Sequence, residues 1–318
     1  MRRVGQVLLA LVAVAVVAVA GLLAWTHVGI RRVDPKLPVP EDVLRVDLAA
    51  DLPVRIRFVD TATQRMPRSA VLDPDLDPQP GGPYEMSHAS FVLEWPDGRL
   101  FAIDTGMERE AALAFGRPIE LLAGADPIEP HASLAERLGA DAPRLAGVGF
   151  THLHEDHSQG IGALCAAVGH DVVLLQTRDQ AERGNYTTHA GRVHLREAPC
   201  LGAPEVLEGS PLLPAPGFPG LFLVAAGGHT PGSTLFVAHV RRRGAVETWV
   251  VTGDIVNHID GVRLDLPKPR LYSLLVVPEA PARLARVRGF LAELARRGAK
   301  LLVSHDRRGI ESTGIEPW

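Results

Sequence analysis

The segment Thr151-His152-Leu153-His154-Glu155-Asp156-His157 constrains this chain more than any other part of it. It leaves an apolar strand predicted over 146–150 and enters a helix. His152 and His154 alternate at the strand end, so both rings can face one side, and Asp156 and His157 follow on the turn. Three imidazoles and one carboxylate within six residues outline a site for a borderline metal ion. Four residues alone would hold one ion loosely, so further donors must come from elsewhere in the fold.

Four other strand ends offer them. The predicted strand 221–225 runs into Gly227-Gly228-His229-Thr230-Pro231-Gly232, where glycines permit close backbone approach and Pro231-Gly232 fixes the turn that aims His229. Val251-Thr252-Gly253-Asp254 ends an apolar strand in a carboxylate, and Ser304-His305-Asp306 ends another in an imidazole. Much earlier, Phe101-Ala102-Ile103-Asp104-Thr105-Gly106 does the same with an acid. One such residue is ordinarily a satisfied polar group. Five ends, each carrying His or Asp, form a pattern.

The rest of the sequence frames these motifs. Arg2 and Arg3 precede a charge-free apolar run over 7–25, and 19 residues at about 1.5 Å each nearly cover a hydrocarbon core of about 30 Å. Residues 1–32 therefore read as a membrane anchor with Trp25 at the interface, or as a signal segment cut after Ala18-Val19-Ala20. The anchor reading places the protein in the inner membrane with its catalytic domain on the periplasmic or extracellular side; the other releases it as a secreted or periplasmic form. Residues 33–53 are rich in proline and read as a semi-rigid linker. One domain follows over 54–318. Strands are predicted at 54–59, 90–95, 100–103, 172–176, 221–225, 234–240, 248–251 and 301–303, with a hairpin over Pro96-Asp97-Gly98. Helices are predicted at 131–138 and 161–168, and a late one carries Leu284, Val287, Leu291 and Leu294 on one stripe before Gly298. No glycine fingerprint follows the early strands, which argues for a layered α/β arrangement and against a dinucleotide fold. A net charge of -4 does not suit a nucleic-acid partner. Two cysteines, Cys165 and Cys200, allow one bridge in an exported domain or two small buried side chains.

In its five ordered motifs between Asp104 and His305 the sequence resembles the metallo-β-lactamase superfamily of hydrolases. The resemblance implies an αβ/βα four-layer sandwich, preceded here by one N-terminal hydrophobic helix, with a metal site at one edge. It implies that His152, His154 and His229 hold one metal ion, that Asp156, His157 and His305 hold a second, and that Asp254 bridges them. Asp104 matches the acid that orients the ligand loop. Two divalent ions are expected, with Zn²⁺ the best match to imidazoles and carboxylates without thiolate, and Fe or Mn also compatible. A metal-bridging hydroxide would attack the substrate carbon or phosphorus, and Asp156 could pass a proton to the leaving group.

Within the superfamily the layout is most similar to the N-acyl homoserine lactonase branch, in Ile103-Asp104-Thr105-Gly106-Met107, the His-Leu-His core, His229-Thr230-Pro231-Gly232 and His305-Asp306. Asp254 stands where many true β-lactamases carry cysteine. Two positions depart from that branch: Asn257 replaces the tyrosine that helps polarise a lactone carbonyl, and Glu155 replaces an aromatic. Asn257 is therefore the candidate carbonyl donor, with Tyr272 or His88 as alternatives. The resulting expectation is a hydrolase of a small-molecule ester or lactone. A thioesterase, a β-lactamase-like or phosphodiester hydrolase, and a mononuclear iron oxygenase remain open on the same fold.

Overall fold

The structure, a computed structural model, describes residues 2–318. Two mixed sheets pack face to face with helices outside them, giving the four-layer αβ/βα sandwich. The first sheet runs, in spatial order, through Glu316–Pro317, Arg55–Pro67, Pro83–Glu94, Leu100–Ile103, Leu145–Gly149, Val173–Thr177 and Glu205–Leu207, with Glu129–Pro130 also paired to Arg55–Pro67. The second runs through Lys300–Val303, Ala245–Gly253, Thr234–Arg242, Leu221–Ala225 and Leu213–Pro214.

Side-chain alternation along the strands builds the layers. Phe91, Leu93, Phe101 and Ile103 of the first sheet meet Leu223, Phe236, Trp249 and Val251 of the second in the central core. Val92 and Ala102, one residue out of phase, face the opposite way onto Leu134, Ile161, Leu164 and Leu195 of the outer helices. On the other side Val224, Leu235, Val237 and Val250 bury the stripe Leu284, Val287, Leu291 and Leu294 of the helix Pro281–Arg296. That helix starts on Pro281, where a missing N–H costs nothing.

Most predicted elements are present, some with different limits. The hairpin Pro83–Glu94/Leu100–Ile103 turns at Gly98, whose N–H donates to the Trp95 carbonyl at 2.9 Å with φ at 90°. The helix predicted at 131–138 spans only Leu134–Leu138, because Ser133 and Glu136 form a reciprocal capping box. His131 instead bonds Thr63 at 2.8 Å. Two further helices, Arg109–Ala123 and His189–Glu197, were not anticipated. Cys165 and Cys200 form a disulfide, tying the helix Ile161–Val168 to the segment after His189–Glu197.

The N-terminal apolar run lies within one helix, Arg2–Arg31, which is long and apolar enough to cross a membrane. Residues 33–53 do not stand off as a stalk. Val43 is fully buried with the late helix, and its carbonyl accepts from His239 Nε2 at 2.9 Å. Prolines fix this segment's direction while its few apolar side chains find cover, so it lies along the body.

Candidate metal centre

The sandwich brings the five chemical strand ends to one edge. Leu100–Ile103 and Leu145–Gly149 run parallel, so Asp104 and the 151–157 segment leave side by side. Leu221–Ala225 and Ala245–Gly253 each pair antiparallel with the strand between them, and Ala245–Gly253 pairs parallel with Lys300–Val303. Their carboxyl ends therefore also coincide, delivering His229, Asp254 and His305. All seven expected ligands are buried, His154 least.

Local backbone geometry aims them. Asp104 has φ of 61°, rare for a residue with a Cβ, and its carboxylate accepts from Thr151 N at 2.7 Å, Thr151 Oγ1 at 2.8 Å and His157 Nδ1 at 2.9 Å. One acid thereby fixes both ends of the ligand loop. Gly253, with φ of 52°, sits so close that a Cβ would come within 2.6 Å of the Thr151 Cβ. Only glycine lets Asp254 approach the His152 loop.

The histidines share one arrangement. In each, one ring nitrogen donates to a fixed acceptor: His152 Nδ1 to Thr151 Oγ1 (3.2 Å), His154 Nε2 to Thr187 Oγ1 (2.8 Å), His157 Nδ1 to Asp104, His229 Nδ1 to Glu279 (2.6 Å) and His305 Nδ1 to the Ser87 carbonyl (2.7 Å). The other nitrogens converge with bare lone pairs. His154 Nδ1 faces His229 Nε2 at 3.3 Å, and His157 Nε2 faces His305 Nε2 at 3.4 Å. Asp254 lies between the two sets, 3.6 Å from His229 Nε2, 3.2 Å from His157 Nε2 and 3.1 Å from His305 Nε2. Asp156 stands 3.4 Å from His305 Nε2. His152, His154, His229 and Asp254 form one compact group of donor atoms, and His157, Asp254 and His305 form another.

Lone pairs facing one another in a buried pocket repel unless a cation lies between them. His152 Nε2 and Asp254 Oδ1 are buried without a hydrogen-bond partner, which would be costly in a pocket without a cation. The donor set fits divalent ions. Burial, then neighbouring imidazoles, push His152 well below the ordinary range and His154 to about 3; burial, then Lys268, lower His229. Those rings are neutral, as ligands must be. Burial also opposes a proton on His157 and His305. There the carboxylates outweigh it, Asp156, Asp104 and Asp254 on His157 and chiefly Asp254 on His305, and both rings rise above the ordinary range. This half of the pocket favours positive charge strongly enough to take a proton where an ion would sit.

Sequence reasoning missed Glu279 and Lys268. Glu279 Oε1 accepts from His229 Nδ1 and from Lys268 Nζ at 3.0 Å, while Lys268 Nζ also donates to the Asp254 carbonyl at 2.6 Å. Burial alone would raise Glu279, but Lys268 and His229 bring it to about 2. The available signal was faint: Lys268 is one of three lysines in an arginine-rich chain. His88, considered only as a carbonyl donor, bonds Asp156 Oδ2 through Nδ1 at 3.2 Å. Asn257 is buried next to the Asp254 turn, but its side chain bonds no member of the cluster and its Oδ1 has no partner. Tyr272 lies near enough that burial, then the Glu279, Asp254 and Asp156 carboxylates, hold its phenol well above the usual range. It stays a proton donor.

The sequence matches the family model of the metallo-beta-lactamase superfamily over residues 83–302. No curated protein matches it. Among solved structures, similarity extends to an N-acyl homoserine lactone hydrolase with the product N-hexanoyl-L-homoserine at its catalytic metal centre, at 17% identity and TM-score 0.58 over 84% of this chain and 98% of that one. A B. thuringiensis AiiA variant with N-decanoyl-L-homoserine at its active site gives the same four values. A probable metal-dependent hydrolase from Staphylococcus aureus follows at 14% identity and TM-score 0.57, over 81% and 91%. At such identities the likeness is one of fold. With the family model covering more than half its length and the donor groups in place, this chain belongs to the metallo-β-lactamase superfamily of metal-dependent hydrolases.

Proposed function

We propose that the protein is a dinuclear hydrolase that opens a small-molecule ester or lactone, with Zn²⁺ as the ion its donors suit best. One observation carries this reading: five imidazole nitrogens and two carboxylates converge while every ring's second nitrogen is already engaged. His152, His154 and His229 would hold one ion, Asp156, His157 and His305 the other, and Asp254 both. Bound there, two cations would supply a water of near-neutral pKa and draw electron density from a carbonyl oxygen. The chain's own residues do the rest. Thr151, Thr187, Asp104, Glu279 and Ser87 keep each ring in the tautomer that presents its lone pair. Asp156 can return a proton to the departing alkoxide, and His88 orients it. Tyr272, kept protonated, offers the donor to the substrate carbonyl that Asn257 supplies less readily.

The low-identity likeness to homoserine lactone hydrolases supports a lactone or ester over the other substrate classes. The domain boundaries follow from the same reading: an anchor over 1–32, a packed proline-rich connector over 33–53 and the hydrolase over 54–318. The disulfide supports export of the hydrolase domain, since such bonds persist in oxidising compartments. The direct test is a hydrolysis screen of full-length, Zn²⁺-loaded protein over lactones, esters, thioesters, β-lactams and phosphodiesters. Lactones or simple esters should lead. Turnover confined to β-lactams or phosphodiesters, or oxygen consumption by a one-iron protein, would refute the proposal.

A further inference from the structure

The base of the apolar helix packs beside the segment that carries His229. Thr26 and Ile30 are buried against the body. Just beyond them, Asp34 pairs with Arg283 at 2.9 Å and with Arg286 at 2.6 Å, and Arg283 Nε donates to the Ala226 carbonyl at 2.6 Å. Ala226 leads into the His229 turn, and a Cβ on Gly227 would lie 3.2 Å from Val33. The anchor and a ligand-bearing loop are therefore one packed unit.

A second contact joins the helix to the rim of the site. His27 Nε2 donates to the Leu274 carbonyl at 3.1 Å. Leu274 lies in the turn Tyr272–Val276, and Leu274, Leu275 and Val276 of this turn, with Leu271 just before it, each leave half or more of their surface to solvent. The inner side of the same turn is chemical: the Tyr272 ring lies 5.4 Å from Lys268 Nζ, which bonds Glu279 and the Asp254 carbonyl, and Ser273 Oγ donates to Glu279. Tyr186, half-exposed, donates to the Val276 carbonyl at 3.1 Å, and its neighbour Thr187 holds His154, the least buried of the seven metal-site side chains. The least buried of the seven side chains is thus joined to the leucine turn through Tyr186 and Thr187.

Position along the helix sets the depth. Residues 4–22 are exposed and uncharged, which at about 1.5 Å per residue gives roughly 28 Å, close to a full hydrocarbon core. Exposed Trp25 then falls at the interface, and His27, bonded to the leucine turn, is half a turn further. Exposed Arg31 and Arg32 follow His27 along the chain and exposed Arg270 precedes the turn, positive charge that suits anionic headgroups. Four clustered apolar side chains would be poorly placed in water, and continuity with the membrane helix identifies what covers them.

We infer that the turn Tyr272–Val276 is seated in the bilayer interface and that the metal site opens onto it, so the substrate is a membrane-partitioned acyl ester or lactone. The head of that molecule would reach the metals past Tyr272 while its chain stays among Leu271, Leu274, Leu275 and lipid. The inference rests on the hydrolase reading and on retention of the anchor.

Two readouts test it separately. The chain has no free cysteine, so Leu274→Cys can carry a single environment-sensitive fluorophore in full-length protein in phosphatidylethanolamine/phosphatidylglycerol vesicles. Asp97→Cys, on the hairpin turn at the opposite end of Leu100–Ile103 from Asp104, is the control. The label at 274 should shift to the blue and be quenched by lipids spin-labelled near the headgroup; the label at 97 should do neither. A water-like label at 274 overturns the seat, and a blue shift without lipid quenching means another protein surface covers the turn, which overturns it equally. In the same vesicles, Leu274→Glu together with Leu275→Glu should lower hydrolysis of p-nitrophenyl palmitate at least about tenfold while p-nitrophenyl acetate stays within about twofold. Equal effects on both esters contradict chain selection. Loss of neither activity contradicts it too. If the parent protein cleaves neither ester, the substrate half of the inference fails, while the fluorescence still locates the turn and the lactone screen decides the hydrolase reading separately.

Discussion

The two sheets furnish the metal site in opposite ways. The first contributes His152, His154, Asp156 and His157 from one short loop, held as a unit by Asp104. The second contributes His229, Asp254 and His305 from three strand ends, each placed by different neighbours: Glu279, Gly253 and Ser87. The first set is contiguous in the chain and needs only a few distant residues, chiefly Asp104, to hold it. The second exists only once the strands Leu221–Ala225, Ala245–Gly253 and Lys300–Val303 are in register. Asp254 joins the sets, so the site is complete only when both sheets are packed.

Substitutions sharpen that contrast, and the largest effect should come from the shared residue. Asp254→Ala should reduce hydrolysis by at least about a thousandfold, because the only side chain common to both donor groups is lost. His305→Ala should cost less, and steady-state rates with metal in excess will show the difference. If the two variants are equally impaired at saturating metal, Asp254 is not shared.

The disulfide belongs to the first sheet's helices alone. Closing a loop of 35 residues is worth about 3–4 kcal/mol. Cys165→Ser together with Cys200→Ser should lower the denaturation midpoint accordingly while leaving the metal-saturated rate nearly unchanged. A lost rate with intact stability would mean that the bridge positions the His152–His157 loop directly.

Smaller again are the effects of the two carboxylates outside the donor set. Glu279→Gln should weaken metal affinity about ten- to a hundredfold through His229, and Asp104→Asn should do so through His157. Competition with a coloured chelator separates them. Glu279→Gln should affect only one of the two metal-binding steps, whereas Asp104→Asn, which frees both ends of the 151–157 loop, should affect both; a change in both steps from Glu279→Gln would break the contrast. Least of all, Asn257→Ala should change the ester rate by less than about threefold, whereas Tyr272→Phe should lower it about tenfold by removing one hydrogen bond to the carbonyl. The reverse order would return the role to Asn257.

The same division explains what could be read from sequence. The 151–157 segment announced itself because its donors are contiguous. His229, Asp254 and His305 were visible because each ends an apolar strand, a pattern with a period of two. Glu279 and Lys268 were not, because neither ends a strand and each acts through a contact fixed by tertiary packing. The helices Arg109–Ala123 and His189–Glu197 escaped because Gly116 and Pro118, both poor helix formers, interrupt the first, and the second is short and buries only Gly191 and Leu195. The connector 33–53 looked like a stalk because prolines report local stiffness and say nothing of where Val43 will be buried.

The central claim is that two donor groups share Asp254, and metal content per chain tests it most directly. Elemental analysis of purified, Zn²⁺-equilibrated protein should give about two ions for the parent, about one for His305→Ala and well under one for Asp254→Ala. A parent that saturates at one ion, or an Asp254→Ala protein that retains one as tightly as the parent does, would contradict the account.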